Sequence, residues 1–290
     1  RLRNLIKPET WKQMNVLLAE AAVKERLITG ERLRLDTTAV ETNIHWPTDS
    51  SLLWDTYRTL ARLIDQIREV DPALVGDRRL LLRKVKRLHQ KIARKASKHP
   101  RSAAALKPLY TRLFGLVENI LNWSGEIAEA LARKTSKHGY APLVLTVMVS
   151  RLGELVHYRE LGERVLDQAR RRIIEKESVP NEEKIFSIIE PHTELLKRGK
   201  AGKSIEFGHM IQIQQVEGKF ITDYEVFDRK PVEHELLEPA LERHRELFGA
   251  YPDQATADKG YYEGMEQIDR LSEIVELVAD GAIENAALVP

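Results

Sequence analysis

Apolar residues along this chain follow two different spacings, and the first change of spacing lies near residue 30. Between Pro8 and Gly30 the apolar positions recur at helical spacing, which predicts one helix with proline at its start and glycine after its end. From residue 32 the period becomes two. Leu33, Leu35 and Thr37 then share one face of a predicted strand, and Arg32, Arg34 and Asp36 share the other. We therefore predict a helix followed by a short strand that ends at Asp36.

Helical spacing returns after the turn "HWPTDS" and continues from residue 51 to about residue 175. Thr48, Asp49 or Ser50 is a suitable N-cap for the first helix of this segment. The apolar stripe of that helix comprises Leu53, Tyr57, Leu60, Ile64 and Ile67. A basic helix follows with Leu81, Val85, Leu88 and Ile92 on its apolar side, and "KHPRSAAALKP" breaks it. Two further helices, over about 109–134 and 141–175, complete a predicted all-helical subdomain.

Strand and helix patterns alternate in the last part of the chain. The predicted strands are "SIEFGHMIQIQQV", "GKFITDYEVF", "DQATADKGYY" and "NAALV", and the predicted helices are "VEHELLEPALERHRELFG" and "EGMEQIDRLSEIVELVADG". A turn at Glu217-Gly218 makes the first two strands an antiparallel hairpin, and the later alternation favours parallel pairing. We predict an α/β fold with a mixed sheet, flanking helices and a long helical insertion after the first strand. The predicted divisions are 1–50, 51–178 and 179–290.

Composition narrows the class of protein. Hydrophobic residues make up 42% of the 290 residues and charged residues 31%, which is typical of a soluble globular protein. The absence of cysteine excludes disulfides, thiolate metal sites and cysteine nucleophiles. No run of about 18 apolar residues is present, so we expect no membrane contact and a cytoplasmic location.

The small net charge of +2 hides a basic block. Between Arg78 and Glu175 there are 22 Lys and Arg against 8 Asp and Glu, a local charge of +14. The stretch from Arg78 to Arg101 holds eleven basic residues and no acidic residue. Such a block indicates a polyanionic partner, although a solvated helical surface is the simpler alternative. The residues predicted to bind DNA phosphates are Arg83, Lys84, Arg87, Lys91, Arg94 and Lys95, of which 83, 87, 91 and 94 share a helix face.

Two aspartates follow strand patterns, Asp36 in "LRLDTT" and Asp258 in "ATADKG". If their strands are neighbours in the sheet, the two carboxylates meet at its edge and repel unless a cation lies between them. Carboxylate oxygens suit Mg²⁺ or Mn²⁺. Two such ions, about 4 Å apart, serve phosphodiester cleavage. We therefore predict catalytic, metal-binding roles for both aspartates, with a turn or cap residue as the alternative for each one alone.

Other polar residues lie near Asp36 in the sequence. Glu41, Asn43, His45 and Asp49 are candidates to orient a metal-bound water or to contact DNA, or else they form a tight turn with Asp49 as the helix cap. His209 is a candidate phosphate contact on a strand. The motif "GKAGKS" at 199–204 lacks the spacing of a nucleotide-binding P-loop and has no helix after it, so we interpret it as a basic hairpin loop.

Three stretches together, "LRLDTTAVETNIHWPTDSSLL", "EKIFSIIEPHTELLKRGKAGKSIEFGHMIQI" and "TADKGYYEG", resemble the DDE transposases of bacterial insertion sequences, nearest to the ISNCY-like group. The resemblance covers most of the chain and is weakest in the helical middle. It implies an RNase H-like core in which three acidic residues bind two divalent ions. The first acid lies on the first strand and corresponds to Asp36. The second follows the fourth strand and corresponds to Asp258.

The third acid implied by the resemblance is a glutamate on a helix after the fifth strand, which we place at "NAALV". Glu263 and Glu266 follow the second acid, and Glu284 precedes that strand. We therefore assign none of these glutamates to the role of the third acid. We expect the third acid beyond residue 290, in a chain cut at both ends, with a helix-turn-helix segment ahead of Arg1. The resemblance further implies transposon-end and target DNA as partners, a homo-oligomer in the active complex and a nucleoid-associated location.

Two other hypotheses remain open at this point. The missing third acid favours a catalytically inactive remnant of a transposase that binds DNA without cutting it. A nuclease of the same fold that never transfers strands is the other alternative, and strand-transfer products from a labelled DNA end would separate it from a transposase.

Overall fold

The computed structural model describes residues 6–96, 100–137, 139–197 and 205–279. The chain forms two compact units, one made of Arg1–Thr42 with Leu196–Pro290 and the other of Asn43–Leu195. The first unit contains the sheet, and the second is helical. The helical unit therefore extends further at both ends than the predicted insertion over 51–178.

The sheet unit contains three α-helices and six strands among the described residues, and helices and strands alternate only after β4. In chain order these are α1 (Pro8–Lys24), β1 (Arg32–Glu41), β2 (Glu194–Lys197), β3 (Ile205–Gln215), β4 (Ile221–Val226), α7 (Leu237–Phe248), β5 (Gln254–Ala257), α8 (Met265–Ser272) and β6 (Glu276–Ala279), with β2 at the boundary between the units. The predicted helix over "EGMEQIDRLSEIVELVADG" was wrong in its second half, which forms β6. The predicted strand "NAALV" lies outside the described residues.

The strands form one mixed sheet of six in the order β2-β3-β1-β5-β6, with β4 paired to β3. β1 is antiparallel to β3, and β3 is antiparallel to β4, which makes the predicted hairpin. β5 is parallel to β1, and β6 is parallel to β5. The expected mixed sheet with flanking helices is therefore present. β1 is the strand at which the antiparallel and parallel halves of the sheet meet.

β1 has the predicted alternation. Leu33, Leu35 and Thr37 are buried, while Arg34 and Asp36 are exposed. The helix before it ends earlier than Gly30, however. The amide of Leu27 donates to the carbonyl of Ala22 at 2.9 Å and that of Arg26 to Val23 at 3.0 Å. These are the two bonds of a Schellman motif, with Arg26 at φ 55° in the place that glycine usually takes.

Gly30 has a structural role at the start of β1 instead. Its φ of 75° is a left-handed conformation, and a side chain there would overlap the ring of Phe248. The carbonyl of Gly30 accepts a hydrogen bond from Nε2 of buried His244 at 2.9 Å. α7 is thereby fixed against the entry into the first strand.

The face of β3 that lies against α7 carries two buried glutamines, Gln212 and Gln214. Nε2 of Gln214 donates to the carbonyl of Ala240 in α7 at 3.1 Å. Arg243 of α7 donates to Gln212 at 2.8 Å and pairs with Asp223 of β4 at 2.7 Å. Buried polar groups cost free energy unless they are hydrogen-bonded. These bonds therefore offset part of the cost of burying the two glutamines, although Oε1 of Gln214 has no hydrogen-bond partner among the described residues.

The helical unit contains α2 (Asp49–Val70), the single turn α3 (Pro72–Val75), α4 (Leu82–Lys95), α5 (Pro100–Ser136) and α6 (Pro142–Arg170), which continues as a π-helical turn to Glu175. α5 begins nine residues earlier than predicted, with Pro108 inside it. α2 packs against α4, α5 and α6. Its predicted stripe of five apolar residues is fully buried, so α2 is the central helix of this unit.

Glu217, in the turn between β3 and β4, binds the start of β1. Its carboxylate accepts hydrogen bonds from the amides of Arg32 at 2.9 Å and Gly30 at 3.2 Å. Partial burial pushes the pKa of Glu217 upward, but the backbone amides outweigh it and hold the pKa below its ordinary value of 4.5. A group with a lowered pKa stabilises the fold above pH 4.5, and this contribution is lost as the pH falls through the folded-state pKa.

We expect Glu217→Gln to lower the free energy of unfolding at pH 7 by about 1 kcal/mol, because a neutral amide is a weaker acceptor than a carboxylate. The difference between the variant and the parent should shrink between pH 5 and pH 3. Urea denaturation across that range measures it. Glu246→Gln, at an exposed position on α7, is the matched control. An equal difference at pH 7 and pH 3 would contradict the role given to Glu217.

Candidate functional site

The register of β1 and β5, continued by two residues on each strand, aligns Asp36 with Asp258 where β5 ends. In the parallel pair, Arg32 is opposite Gln254 and Arg34 is opposite Thr256. Two residues further along each chain are Asp36 and Asp258, on the same face as Arg34 and Thr256. Neighbouring strands are about 4.8 Å apart, so the two carboxylates can reach a common ligand. Both residues are exposed.

Asp36 does not end its strand, which corrects the prediction. β1 continues to Glu41 and stays paired with β3 as far as Gly208. Only the ladder with β5 stops, at Arg34. The alternative interpretation of Asp36 as a turn or cap residue is therefore wrong. Asp36 is therefore paired with β3 on one side, while on its other side the ladder with β5 has already ended.

Asp258 directly follows β5 and precedes a single 3₁₀ turn over Lys259–Tyr261. Its backbone is at the N-cap position, and its carbonyl accepts from the amide of Tyr261 at 3.0 Å. Its side chain makes no capping hydrogen bond. The carboxylate is thus not used to begin the turn, which leaves it available to a ligand.

A hydrogen-bonded chain on the buried face connects the two strand segments. The hydroxyls of Tyr261 and Thr37 bond to each other, and Thr37 donates to Oε1 of Glu233 at 3.0 Å. Gln212 of β3 donates to the hydroxyl of Tyr261 at 3.5 Å. Thr37 follows Asp36 and Tyr261 is three residues after Asp258, so this chain fixes the backbone behind both acids. The lack of a side chain at Gly260 leaves room for Glu233, because a Cβ atom there would overlap its carboxylate.

The charge of Asp36 acts on this buried chain. Burial raises the pKa of Tyr261 to about 12, the bonds to Gln212 and Thr37 oppose the rise, and the charges of Glu233 and Asp36 add to it. Tyr261 is therefore a neutral hydrogen-bonding group at physiological pH.

The two aspartates supply hard oxygen donors of the type that Mg²⁺ and Mn²⁺ prefer, and so fit part of a metal site. Over the described ranges no group of three or more His, Asp or Glu is placed to hold a metal ion. Glu266 lies in the first turn of α8, and Glu263 directly precedes the N-cap of this helix. Glu284, like "NAALV", lies outside the described residues.

Two of the polar residues that follow Asp36, His45 and Asp49, are bound within the helical unit. Nε2 of His45 bonds Oδ2 of Asp55 at 2.6 Å. Thr48 caps α2 in a reciprocal capping box with Ser51. Asp49 is buried and pairs with Arg172 at 2.8 Å; burial raises the pKa of its carboxyl although this ion pair opposes the rise. Asp49 is therefore not the helix cap, and these groups stabilise the beginning of α2.

All six residues predicted to bind DNA lie on α4 and are exposed, namely Arg83, Lys84, Arg87, Lys91, Arg94 and Lys95. Val85, Leu88 and Ile92 form the buried side of this helix as predicted, whereas Leu81, at its N-cap, is 40% exposed. Four of the six cations line a groove to which α5 adds Arg112. Sequence analysis missed Arg112 because only the packing of α5 on α4 brings it to this surface. The motif at 199–204 lies outside the described residues.

No family model matches the chain, and neither the curated proteins nor the solved structures contain a match. In the part of the chain that the structure describes, no helix is long and apolar enough to cross a membrane. The geometry around Asp36 and Asp258 therefore carries the functional proposal.

The buried chain behind the aspartates should behave as one unit in mutagenesis. Thr37→Val and Tyr261→Phe each remove a hydroxyl, and each should cost about 1–2 kcal/mol of unfolding free energy because a buried partner loses its bond. The double variant should cost at least about 0.5 kcal/mol less than the sum, because both changes break the same bond. Urea denaturation of the four proteins gives this coupling energy.

Tyr261→Phe combined with Thr111→Val is the matched control. Thr111 is an exposed residue of α5, and its hydroxyl donates to its own helix. This pair should be additive within about 0.5 kcal/mol. Additivity of Thr37→Val with Tyr261→Phe would show that the two hydroxyls are not energetically connected.

Proposed function

We propose that the chain is the catalytic core of a DNA transposase that cleaves DNA at the ends of a mobile element and transfers the cut strand. The observation that supports the proposal is the register of β1 and β5, which, continued by two residues on each strand, aligns Asp36 with Asp258. Counting β1, β3, β4, β5 and β6 as the core strands, Asp36 is on the first and Asp258 follows the fourth. These are the positions that the resemblance to DDE transposases gives to the first two acids of an RNase H-like core.

In this proposal the two aspartates are metal ligands. Two Mg²⁺ or Mn²⁺ ions bound there would activate water and stabilise the leaving oxygen in phosphodiester cleavage. The sequence places one acid on a continuous strand and the other directly after a strand, and the Thr37–Tyr261 chain holds both backbones in place. The freed 3′ hydroxyl of the DNA would then attack the target strand at the same site. The basic surface of α4 would bind DNA phosphates.

A non-cutting DNA-binding remnant is the second candidate function. It is favoured by the finding that the described residues contain no group of three ligands. The two candidates differ in whether the chain binds a divalent ion at the aspartates, and DNA binding alone does not separate them.

We expect Asp36→Asn and Asp258→Asn each to abolish metal-dependent nicking of plasmid DNA. Changes in groups around a metal ligand already cost about 10–100-fold, so loss of a ligand should cost at least about 100-fold. Mn²⁺ affinity, measured by titration calorimetry, should fall in both variants. DNA binding in EDTA should stay unchanged, because α4 is intact.

Asp253→Asn is the matched control, an exposed aspartate just before β5 that should leave nicking and Mn²⁺ binding unaltered. Retained nicking in either active-site variant would refute the assignment. A parent protein that binds DNA but neither binds Mn²⁺ nor nicks would favour the remnant. Nicking without strand-transfer products from a labelled end would favour a nuclease.

A further inference from the structure

The groove between α4 and α5 combines cations with leucines, and a surface that binds phosphates alone does not need the leucines. Its cavity volume is about 680 Å³, within the range of roughly 300–1,000 Å³ typical of ligand pockets. It is lined by two kinds of side chain. Five are cations, Arg83, Lys84, Arg87, Lys91 and Arg112, and five are leucines, Leu80, Leu81, Leu82, Leu88 and Leu109. No acidic residue lines it.

The cations of the groove differ from other arginines of the same unit. Arg58 pairs with Asp55 at 2.7 Å, Arg68 with Asp65 at 2.9 Å and Arg151 with Glu154 at 2.7 Å. Over the described residues, none of the five groove cations forms an ion pair with a carboxylate. Their charge is therefore available to an external anion.

The leucines indicate which anion fits. The phosphate backbone of a duplex offers no apolar group to a leucine floor, because its bases are stacked inside. The bases of an unpaired strand are accessible and bind apolar side chains while the phosphates follow cations. Leu81 is the most accessible group of the floor, at 40% exposure.

The cations also have a spacing that suits a strand. Arg83, Arg87 and Lys91 follow one another at four-residue steps on one face of α4. At 1.5 Å per residue they span about 12 Å, which matches three to four nucleotides of a strand that keeps the base-stacked rise of about 3.4 Å found in B-DNA.

We propose that this groove binds an unpaired segment of nucleic acid about four nucleotides long, with its phosphates on Arg83, Arg87 and Lys91 and its bases against Leu81. The proposal deepens the proposed function, since an enzyme that opens and joins DNA ends has such a segment as substrate. It rests on the groove alone, however, and requires neither aspartate nor metal.

The test is fluorescence anisotropy with a labelled 12-nucleotide strand of mixed sequence and with the duplex of the same sequence, both in EDTA. The single strand should bind at least about threefold more tightly than the duplex at equal salt. Arg87→Glu with Lys91→Glu should weaken binding of the single strand at least about tenfold and lower its salt slope by about 1.4. The matched control is Arg62→Glu with Arg164→Glu, two exposed arginines of α2 and α6 outside the groove.

Leu81→Gln separates base contacts from phosphate contacts. It should weaken the single strand about three- to tenfold and leave the duplex nearly unchanged. Only the side chain changes, so the bond from the Leu81 amide to the Tyr57 hydroxyl at 2.8 Å is kept. Leu143→Gln, on α6 at 85% exposure, is the control for loss of a surface leucine.

Equal affinity for strand and duplex, with no effect of Leu81→Gln, would overturn the proposal in favour of duplex phosphate binding. Binding of an acidic amphipathic peptide that depends on Leu81, without binding of the strand, would overturn it in favour of a protein partner. If the parent protein does not bind Mn²⁺ at the two aspartates but the groove experiments give the expected results, only the proposed catalytic function is refuted.

Discussion

The unequal pairing of β1 with its two neighbours is the constraint on which the candidate site depends. β1 pairs with β3 from Arg34 to Glu41 but with β5 only from Arg32 to Arg34. One edge of β1 is thus covered by a ladder while the other is open beyond residue 34. An aspartate there stays rigid, because the β3 ladder holds its backbone, and accessible, because the ladder with β5 has ended. A strand end would supply access without rigidity, and a central strand position would supply rigidity without access.

The turn after β5 is held by polar groups and not by a purely apolar core. Tyr261, Thr37, Gln212 and Glu233 form one hydrogen-bonded chain beneath the sheet. Directed bonds fix a position more closely than apolar packing, since each donor has few acceptors within reach. This arrangement is suited to two carboxylates whose relative position decides whether they can share a metal ion.

The sequence predicts those features that local patterns determine. The alternation in β1, the buried stripe of α2 and the hairpin at Glu217 follow from side-chain period and turn chemistry.

The features that sequence analysis missed depend on tertiary partners. The end of α1 is set by Arg26 in a conformation that the sequence attributes to Gly30, and β6 lies within an apparent helix pattern because parallel pairing with β5 outweighs local preference. The adjacency of Asp36 and Asp258 was predicted only as a condition on strand order, which local pattern does not determine. Arg112 joins the basic groove through helix packing and has no local signal.

The cations of the helical unit fall into two classes, those that pair with a carboxylate and those that do not. This division is more informative about function than the net charge of the unit. Arg172 with Asp49 and Lys134 with Asp71 connect helices that are distant in sequence. Such cations are part of the fold, and replacing them leaves a buried carboxylate without its partner. The cations of the α4 groove have no such role among the described residues, and their mutual repulsion lowers stability. A surface that carries this cost and adds a leucine floor is best explained by a ligand with both phosphates and accessible bases. The basic run visible in the sequence is therefore one wall of a groove. In our proposal the apolar floor of this groove favours an unpaired strand over a duplex.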